Sequence, residues 1–541
     1  MVNSLVIILL PPAILGYIVF TYFLDPLFDP LHKDVPDAHI TATFSRFWIL
    51  YIRYTGRENR TIHAAHARLG PIIRLAPNEI SVVSIDGGVR TVYGGGFAKH
   101  RWYDQMRNFG DVPNMFSTLE NREHSLRKRG ISHVYAKSVI QGSKTLEGIS
   151  KVLVVRMLNK LEKLVESGDQ GTVDLMAVMS AATMDFVTAY LFGLQNCSEF
   201  LGDDKKLAWW LDVFHRRRPF GFLDAELPGL KKWLTRFGVK LAPNHVAQAN
   251  KEIGDFVMGM CDRADADLTR GESALKPEDI PVVWRQLRKP AASDKESVNN
   301  KGYDDKLVAA SEMWDHLSAG QETSAVALSY VFHELTKYSD VQSALRKEVQ
   351  GLKLSLQLPL SPQGIPAARD IDALPLLDAV LMETLRLHAP IPGPQPRITP
   401  EKGCTLANKV IPGGFRVSSL PYTLHRDANV FPDPDTWLPK RWLAPVTVTD
   451  ANVVNDASRD EHLKQMHRTF WAFSSGARMC LGNHLATQEM KLIIAAVLSN
   501  FELLGVANAE VDARMIQEDA WTAQLIGGEL LLKMRRLPNK T

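Results

Sequence analysis

A single cysteine set among glycines is the residue in this chain best placed to do chemistry. It lies in Phe473-Ser-Ser-Gly476-Ala-Arg478-Met-Cys480-Leu-Gly482, just ahead of a helical pattern. Glycines let the backbone come close to a flat ligand and take turn conformations closed to other residues. The positive end of the following helix and neighbouring backbone N–H groups favour a thiolate there. Arg478, two residues before the sulfur, can pair with a carboxylate of the ligand. The other cysteines, Cys197, Cys261 and Cys404, form no C-x-x-C pair. No disulfide framework or structural zinc site is expected, and these three read as small buried hydrophobes.

Two further segments place polar groups where they are costly. In Ala319-Gly320-Gln321-Glu322-Thr323, an acid and a hydroxyl interrupt a mostly apolar helical run. Ala319 and Thr323 share a helix face. Gly320 leaves room and weakens the helix, and Thr323 can bond back to a carbonyl one turn earlier. The plain alternative is a helix-packing notch. In Glu383-Thr-Leu-Arg386, the acid and base stand at i, i+3 among Val380, Leu381, Leu385 and Leu387. A pair buried in that setting needs further partners.

Together these segments resemble the cytochrome P450 family. Its haem loop, F-x-x-G-x-R-x-C-x-G, is matched by Phe473, Gly476, Arg478, Cys480 and Gly482. The resemblance implies that Cys480 binds the iron of haem b as thiolate and that Phe473 packs against it. The family's A-G-x-[DE]-T implies that Glu322 and Thr323, with Ala319 and Gly320, deliver protons to the oxygen being activated. Its Glu–Arg pair is completed by an arginine from a later P-E-R-[FW] segment. Here that is Pro439-Lys440-Arg441-Trp442, which keeps Arg441 and has Lys440 in place of the usual acid. Arg397, in Pro394-Gln-Pro-Arg397, resembles an arginine that bonds a haem propionate. His124, Lys128 and Arg129 lie where the family has Trp or His followed four residues later by Arg. Spacing leaves Lys128 and Arg129 both open, with a basic surface run as the alternative.

The elements that must position these groups are mostly helices. Helical spacing covers Gly171 to Leu194, Leu207 to Phe214, Tyr338 to Leu352, Leu376 to Leu387 and Asn483 to Phe501. Leu307 to Leu335, long and apolar, is expected to be the most buried helix. Ile72 to Val83 reads as two strands about Pro77-Asn78, and Val410 to Leu420 as a hairpin around Pro412-Gly413-Gly414. A broken loop with one short helix, Val282 to Leu287, is expected within Arg270 to Asp305. Val446 to Lys464 looks like a surface insertion. The expected class is mainly α with small β-sheets (α+β). The resemblance makes it the cytochrome P450 fold, with one large catalytic domain over residues 60–541.

Ahead of that domain, Leu5 to Leu24 is uncharged and long enough, at about 1.5 Å per residue, to cross a hydrocarbon core. It has no basic n-region and no small-residue cleavage site, which favours an anchor over a cleaved signal. Lys33, Arg46, Arg53 and Arg57 follow the span, which puts the catalytic part in the cytosol. Residues 25–59 form a proline-containing connector. The expected location is the endoplasmic reticulum membrane, single-pass.

The chain has 541 residues, 45% apolar and 23% charged, with a net charge of +3. That balance is globular and offers no global electrostatic case for nucleic acid. There is no dinucleotide fingerprint after a strand and no flavin module, so electrons must come from a partner. The resemblance implies NADPH delivered through an NADPH–haemoprotein reductase, with cytochrome b5 as a second donor, and O2 as co-substrate. The expected reaction is hydroxylation, epoxidation or desaturation of a lipophilic small molecule, with secondary metabolism as its setting. A thiolate-haem isomerase or dehydratase on the same fold, a haem carrier and a structural membrane protein are the competing readings. Pocket walls are expected from Trp102, Tyr103, Met106 and Phe116, from Trp209 to Phe214, from Ala389 to Gly393 and from Trp521 to Ile526.

Overall fold

The computed structural model describes residues 30–289, 302–443 and 456–538, together with Pro12, Gly16 and Phe20. The 5–24 span therefore lies almost wholly outside the described residues.

The core is helical. Leu175–Phe192 starts from Asp174, whose side chain accepts the N–H of Ala177, and stops at Gly193 with φ 87°. A Cβ on Gly193 would stand 2.2 Å from the Asp279 carbonyl oxygen, so glycine is required there. All of this helix but Ala177 is buried, which corrects the expectation that Leu307 to Leu335 is the most buried. The latter belongs to the longer helix Asp305–Lys337, capped by Asp304, whose side chain accepts the N–H groups of Lys306 and Leu307. Its middle faces a cavity instead of the core, leaving Asp315, Ala319, Gly320 and Thr323 unburied. Among the described residues only Leu175–Phe192 is long and apolar enough to cross a membrane, and its burial makes it a core helix.

Helices Lys144–Ser167, Pro375–Leu387 and Asn483–Asn500 complete the same apolar cluster. The short helix Val282–Leu287 lies where expected.

Three small sheets flank the helices. The first has the order β1-β2-β7-β4, with β1 Ile72–Ala76, β2 Glu79–Val82, β4 Arg397–Ile398 and β7 Arg416–Ser418. The second joins β3 Thr172–Asp174, β9 Leu531–Arg536 and β8 Phe501–Val506. The third pairs β5 Cys404–Leu406 with β6 Lys409–Ile411. The hairpin expected at Val410 to Leu420 is thus displaced. The chain reverses at Ala407-Asn408, both with positive φ, and β7 leaves to pair with β2 and β4. Gly413 is instead pressed against Glu401, where a Cβ would lie 2.2 Å from the carbonyl oxygen.

Within the expected connector, Pro30–Asp34 and Phe47–Tyr54 are helical, and Val35 and Ile49 are fully buried against the body. Arg53 is not a free surface charge. It pairs with Glu58, Glu79 and Glu226 in a buried cluster. Of the expected insertion, residues 446–455 lie outside the described residues, and the rest opens the helix Asp456–Thr469.

Candidate active site

The cysteine loop runs from Phe470 to Gly482, between Asp456–Thr469 and Asn483–Asn500. Its backbone is folded tightly. The Cys480 N–H donates to the Phe473 carbonyl at 3.0 Å, and Ser474 and Gly476 both have positive φ. At Gly476 a Cβ would meet the Tyr93 carbonyl oxygen at 2.3 Å. Cys480 opens onto a cavity of about 1900 Å³ that Phe473 also lines. Burial raises its thiol, while the N–H groups of Gly482 and Asn483 and the Lys128 ammonium pull it down. With burial the larger effect, the helix end alone does not make a thiolate, contrary to the simple sequence argument.

The middle of Asp305–Lys337 also lines this cavity. Thr323 Oγ1 donates to the Ala319 carbonyl at 2.7 Å, the back-bond expected from the spacing. Gly320 lines the cavity and also meets the core helix, where a Cβ would sit 2.8 Å from Val187 Cγ2. The helix-packing notch is therefore present, and the same glycine faces the cavity. Glu322 turns towards the chain's C-terminal segment. Its Oε1 accepts from Gln524 Nε2 at 2.7 Å and lies 3.5 Å from Arg218 Nη2.

One rim is strongly basic. Arg397 is buried, with Nη1 donating to the Tyr103 hydroxyl at 3.1 Å and the guanidinium over the Tyr93 ring. Arg478 donates to the carbonyls of Thr118 at 2.6 Å and Leu119 at 2.7 Å, so in this state it grips backbone oxygens, not a carboxylate. Burial brings it down to about 10. His124 is pushed down to about 3, by burial first and then by the surrounding cations Arg478, Lys99, Lys128 and Arg397. Lys128 Nζ donates to the carbonyls of Ala477 at 2.8 Å and Met479 at 3.3 Å, whereas Arg129 faces outward.

Lys99 was not singled out from sequence, yet it belongs to this rim. It is 5% exposed, donates to the Phe116 carbonyl and lies 4.0 Å and 3.9 Å from the Tyr103 and Phe116 ring centroids. Burial holds it well below its ordinary value, and Arg397 and Arg478 add to that. No sequence signal singles it out, because Lys99 stands beside His100 and Arg101 in the same short segment.

Glu383 and Arg386 are both fully buried and saturated. Arg386 donates from Nε and Nη2 to the two Glu383 oxygens, each at 2.9 Å. Arg441 Nε donates to Glu383 Oε1 at 3.0 Å, and Trp442 Nε1 donates to Glu383 Oε2 at 2.9 Å. Lys440, in place of the usual acid, is exposed. Of the expected walls, Trp102, Met106, Phe116, Phe214, Pro390, Ile391 and much of Trp521 to Ile526 line the cavity. Tyr103 stands behind the wall, and Trp210 is buried in the core with Nε1 3.4 Å from Gln321 Oε1.

The cavity is about twice the volume of the largest ordinary small-ligand pockets, roughly 1,000 Å³, so it suits a large flat group with a second molecule beside it. An open thiol, a roof carrying a hydroxyl, and five basic side chains at one rim are the donor set of a metallated ring bearing two carboxylates.

The comparisons agree with this geometry. The Cytochrome P450 family model matches residues 44–522. The cytochrome P450 monooxygenase avaI of Aspergillus versicolor is 25% identical over 79% of this chain and 94% of its own length. The cytochrome P450 monooxygenase atr2 of Stereocaulon alpinum is 25% identical over 90% of this chain and 88% of its own. N-acetyltryptophan 6-hydroxylase ivoC of Emericella nidulans is 25% identical over 84% and 83%. With the family matched over most of its length, this chain belongs to the cytochrome P450 family, is an oxidoreductase of the monooxygenase class, and is implied to carry a haem–thiolate iron cofactor.

Proposed function

We propose that this protein is a membrane-anchored monooxygenase that takes electrons from NADPH through a reductase and oxidises a lipophilic small molecule. The observation that carries this reading is the cavity shared by Cys480 and the Ala319–Thr323 notch. When bound, haem would supply O2 activation, which a thiolate ligand would favour.

The chain's own residues do the rest. Cys480 would hold the iron through its sulfur. Arg397, Arg478, Lys128 and Lys99 would hold the two propionates, with neutral His124 as a further N–H donor, since the buried Arg397 and Lys99 have no carboxylate partner among the described residues. Thr323 holds a proton at Oγ1 at the notch. Glu322, held by Gln524 and Arg218, is the carboxyl beside Thr323 that relays protons from solvent towards the notch. Trp102, Phe116 and Trp521 form an aromatic wall that excludes water and orients an apolar substrate. A relative that hydroxylates N-acetyltryptophan supports a ring-bearing substrate.

Membrane attachment is supported by an apolar surface. Phe47, Tyr51 and Tyr54 on one helix and Leu230, Trp233 and Phe237 near another are all exposed. The Tyr54 and Phe222 rings, 5.4 Å apart, bring the two regions together. With the uncharged span before them, these residues fit a cytosol-facing enzyme resting on the endoplasmic reticulum. Exposed Arg129 and Met479 lie on the side of the cysteine loop where an acidic reductase face, or cytochrome b5, would dock.

The test is spectroscopic. The reduced CO complex of the wild-type protein is expected to show a red-shifted Soret band, and Cys480→Ser to lose it. A band unchanged by that substitution removes Cys480 as the ligand. NADPH-dependent and O2-dependent turnover with a reductase separates this reading from a reductase-free isomerase.

A further inference from the structure

The last turn of the helix Asp204–Arg217 borders the cavity, through Phe214, His215 and Arg217. Leu207, Trp210 and Phe214 are buried and share one face at steps of three and four residues. The next step along that face is Arg217, so an otherwise apolar stripe ends in a cation. Its neighbour Arg216 is turned to Asp212, at 3.0 Å, and to Glu252, at 3.8 Å.

Other cations on this side of the cavity are neutralised. Arg60 lies 3.8 Å from Asp519, Lys231 pairs with Asp224, and Arg218 stands 3.5 Å from both Glu322 and Glu518. Lys240 is exposed to solvent. Arg217 differs from all of these. Among the described residues it has no carboxylate partner and one long hydrogen bond, from Nη1 to Asn250 Oδ1 at 3.4 Å. Its guanidinium lies 4.8 Å from the Phe214 ring centroid and 6.0 Å from that of Trp314. The acid whose charge it feels, Glu322, is already held by Gln524 and Arg218. Burial brings Arg217 down to about 10, so it is still a cation at neutral pH. A guanidinium offers five N–H donors in a fork that matches a carboxylate. A desolvated one without an anion is costly, and it marks where a ligand completes the set.

We propose that Arg217 receives a carboxylate of the substrate, which makes that substrate a lipophilic acid. Two guanidinium N–H groups donate to the two carboxylate oxygens. Asn250, which also lines the cavity, can turn its amide NH2 to the same anion. The ring of Phe214 stands behind the carboxylate, and the aromatic wall of Trp102, Phe116 and Trp521 takes the body. The propionate rim is a separate set of cations, since the charges acting on Arg217 are those of Glu322 and Arg218. The inference rests on the monooxygenase reading of this cavity and adds a substrate class to it.

The experiment uses the haem-loaded full chain at neutral pH and two probes, 4-(naphthalen-2-yl)butanoate and its uncharged primary amide. Haem loading keeps the propionate rim occupied, so its cations do not compete for the acid. Equilibrium dialysis measures affinity and the Soret band reports entry into the cavity. The acid is expected to bind about tenfold tighter than the amide or better, with a Soret shift to shorter wavelength. Arg217→Gln is expected to remove that preference while leaving amide affinity within about twofold. Arg217→Lys, a point charge in place of the fork, is expected to keep part of it. Retention of the CO band in Arg217→Gln shows that the variant is folded and loaded. If that band is lost, Arg217→Lys is read instead, and an undiminished preference there overturns the proposal. No preference in the wild type also overturns it. So does a preference surviving Arg217→Gln, which puts the carboxylate on another cation. An equal loss of acid and amide binding in Arg217→Gln overturns it too, because Arg217 is then only a packing residue. Failure of the wild-type CO band instead overturns the monooxygenase reading itself.

Discussion

His425 ties the helix of the buried ion pair to the start of the cysteine loop: its Nε2 accepts the backbone N–H of Trp471 at 2.7 Å. Because Nε2 accepts, Nδ1 carries the proton and donates to the Arg386 carbonyl at 2.9 Å. Arg386 Nη1 in turn donates to the His425 carbonyl at 2.8 Å. The loop that presents Cys480 is thus hung on the Glu383–Arg386 pair by one neutral imidazole.

Burial, and next the Arg386 charge, hold His425 down to about 3 against an ordinary 6.5. The neutral form is native, so this histidine's contribution is complete above pH 6.5 and is lost as pH falls towards 3. Between pH 7 and pH 5 the loss is about 2 kcal/mol for this group. Urea unfolding of His425→Gln, which cannot titrate, should show a correspondingly smaller drop between those pH values. An equal drop in both proteins would show that His425 is not protonated on unfolding.

Glu383→Gln removes the charge that Arg386 and Arg441 share. An uncompensated buried guanidinium costs about 3–5 kcal/mol. The expected outcome is little recovered haem-bound protein and a lowered melting temperature. Wild-type recovery and melting would mean that the pair is not structural.

Gly476→Ala asks for a side chain at φ 70°, with its Cβ 2.3 Å from the Tyr93 carbonyl oxygen. The backbone conformation alone costs about 1–2 kcal/mol, and the clash must move the loop. Gly482 has φ −83° and no atom within 4 Å of an added Cβ. Melting of the haem-free proteins should therefore fall for Gly476→Ala and stay close to wild type for Gly482→Ala. Equal effects would contradict this loop geometry.

Thr323→Ala leaves the cavity and its cations intact, so haem binding should persist. If Thr323 supplies a proton at the notch, product formed per NADPH should fall on the order of a hundredfold, the lower end of the about 10²–10⁴ that a positioned acid–base group contributes, with peroxide rising to match. Thr323→Ser should recover coupling. Normal coupling in Thr323→Ala would remove the proton role.

Much of the site was legible because its signals are local. Gly476, Arg478, Cys480 and Gly482 sit within seven consecutive positions, and the Thr323–Ala319 bond follows from helix periodicity alone. The long helices, the first strand pair and the short Val282–Leu287 helix could be read from apolar spacing and breakers. The displaced hairpin could not, because Gly413 is dictated by contact with Glu401 and not by its own turn.

Sequence by itself determined where the cysteine loop, the helix notch and the Glu383–Arg386 pair lie, since each is spelled out over a few consecutive positions. Tertiary structure alone decided what surrounds them. Lys99 and His124 come together from separate segments, and Lys128 rather than Arg129 meets the loop because helix rotation picks one face.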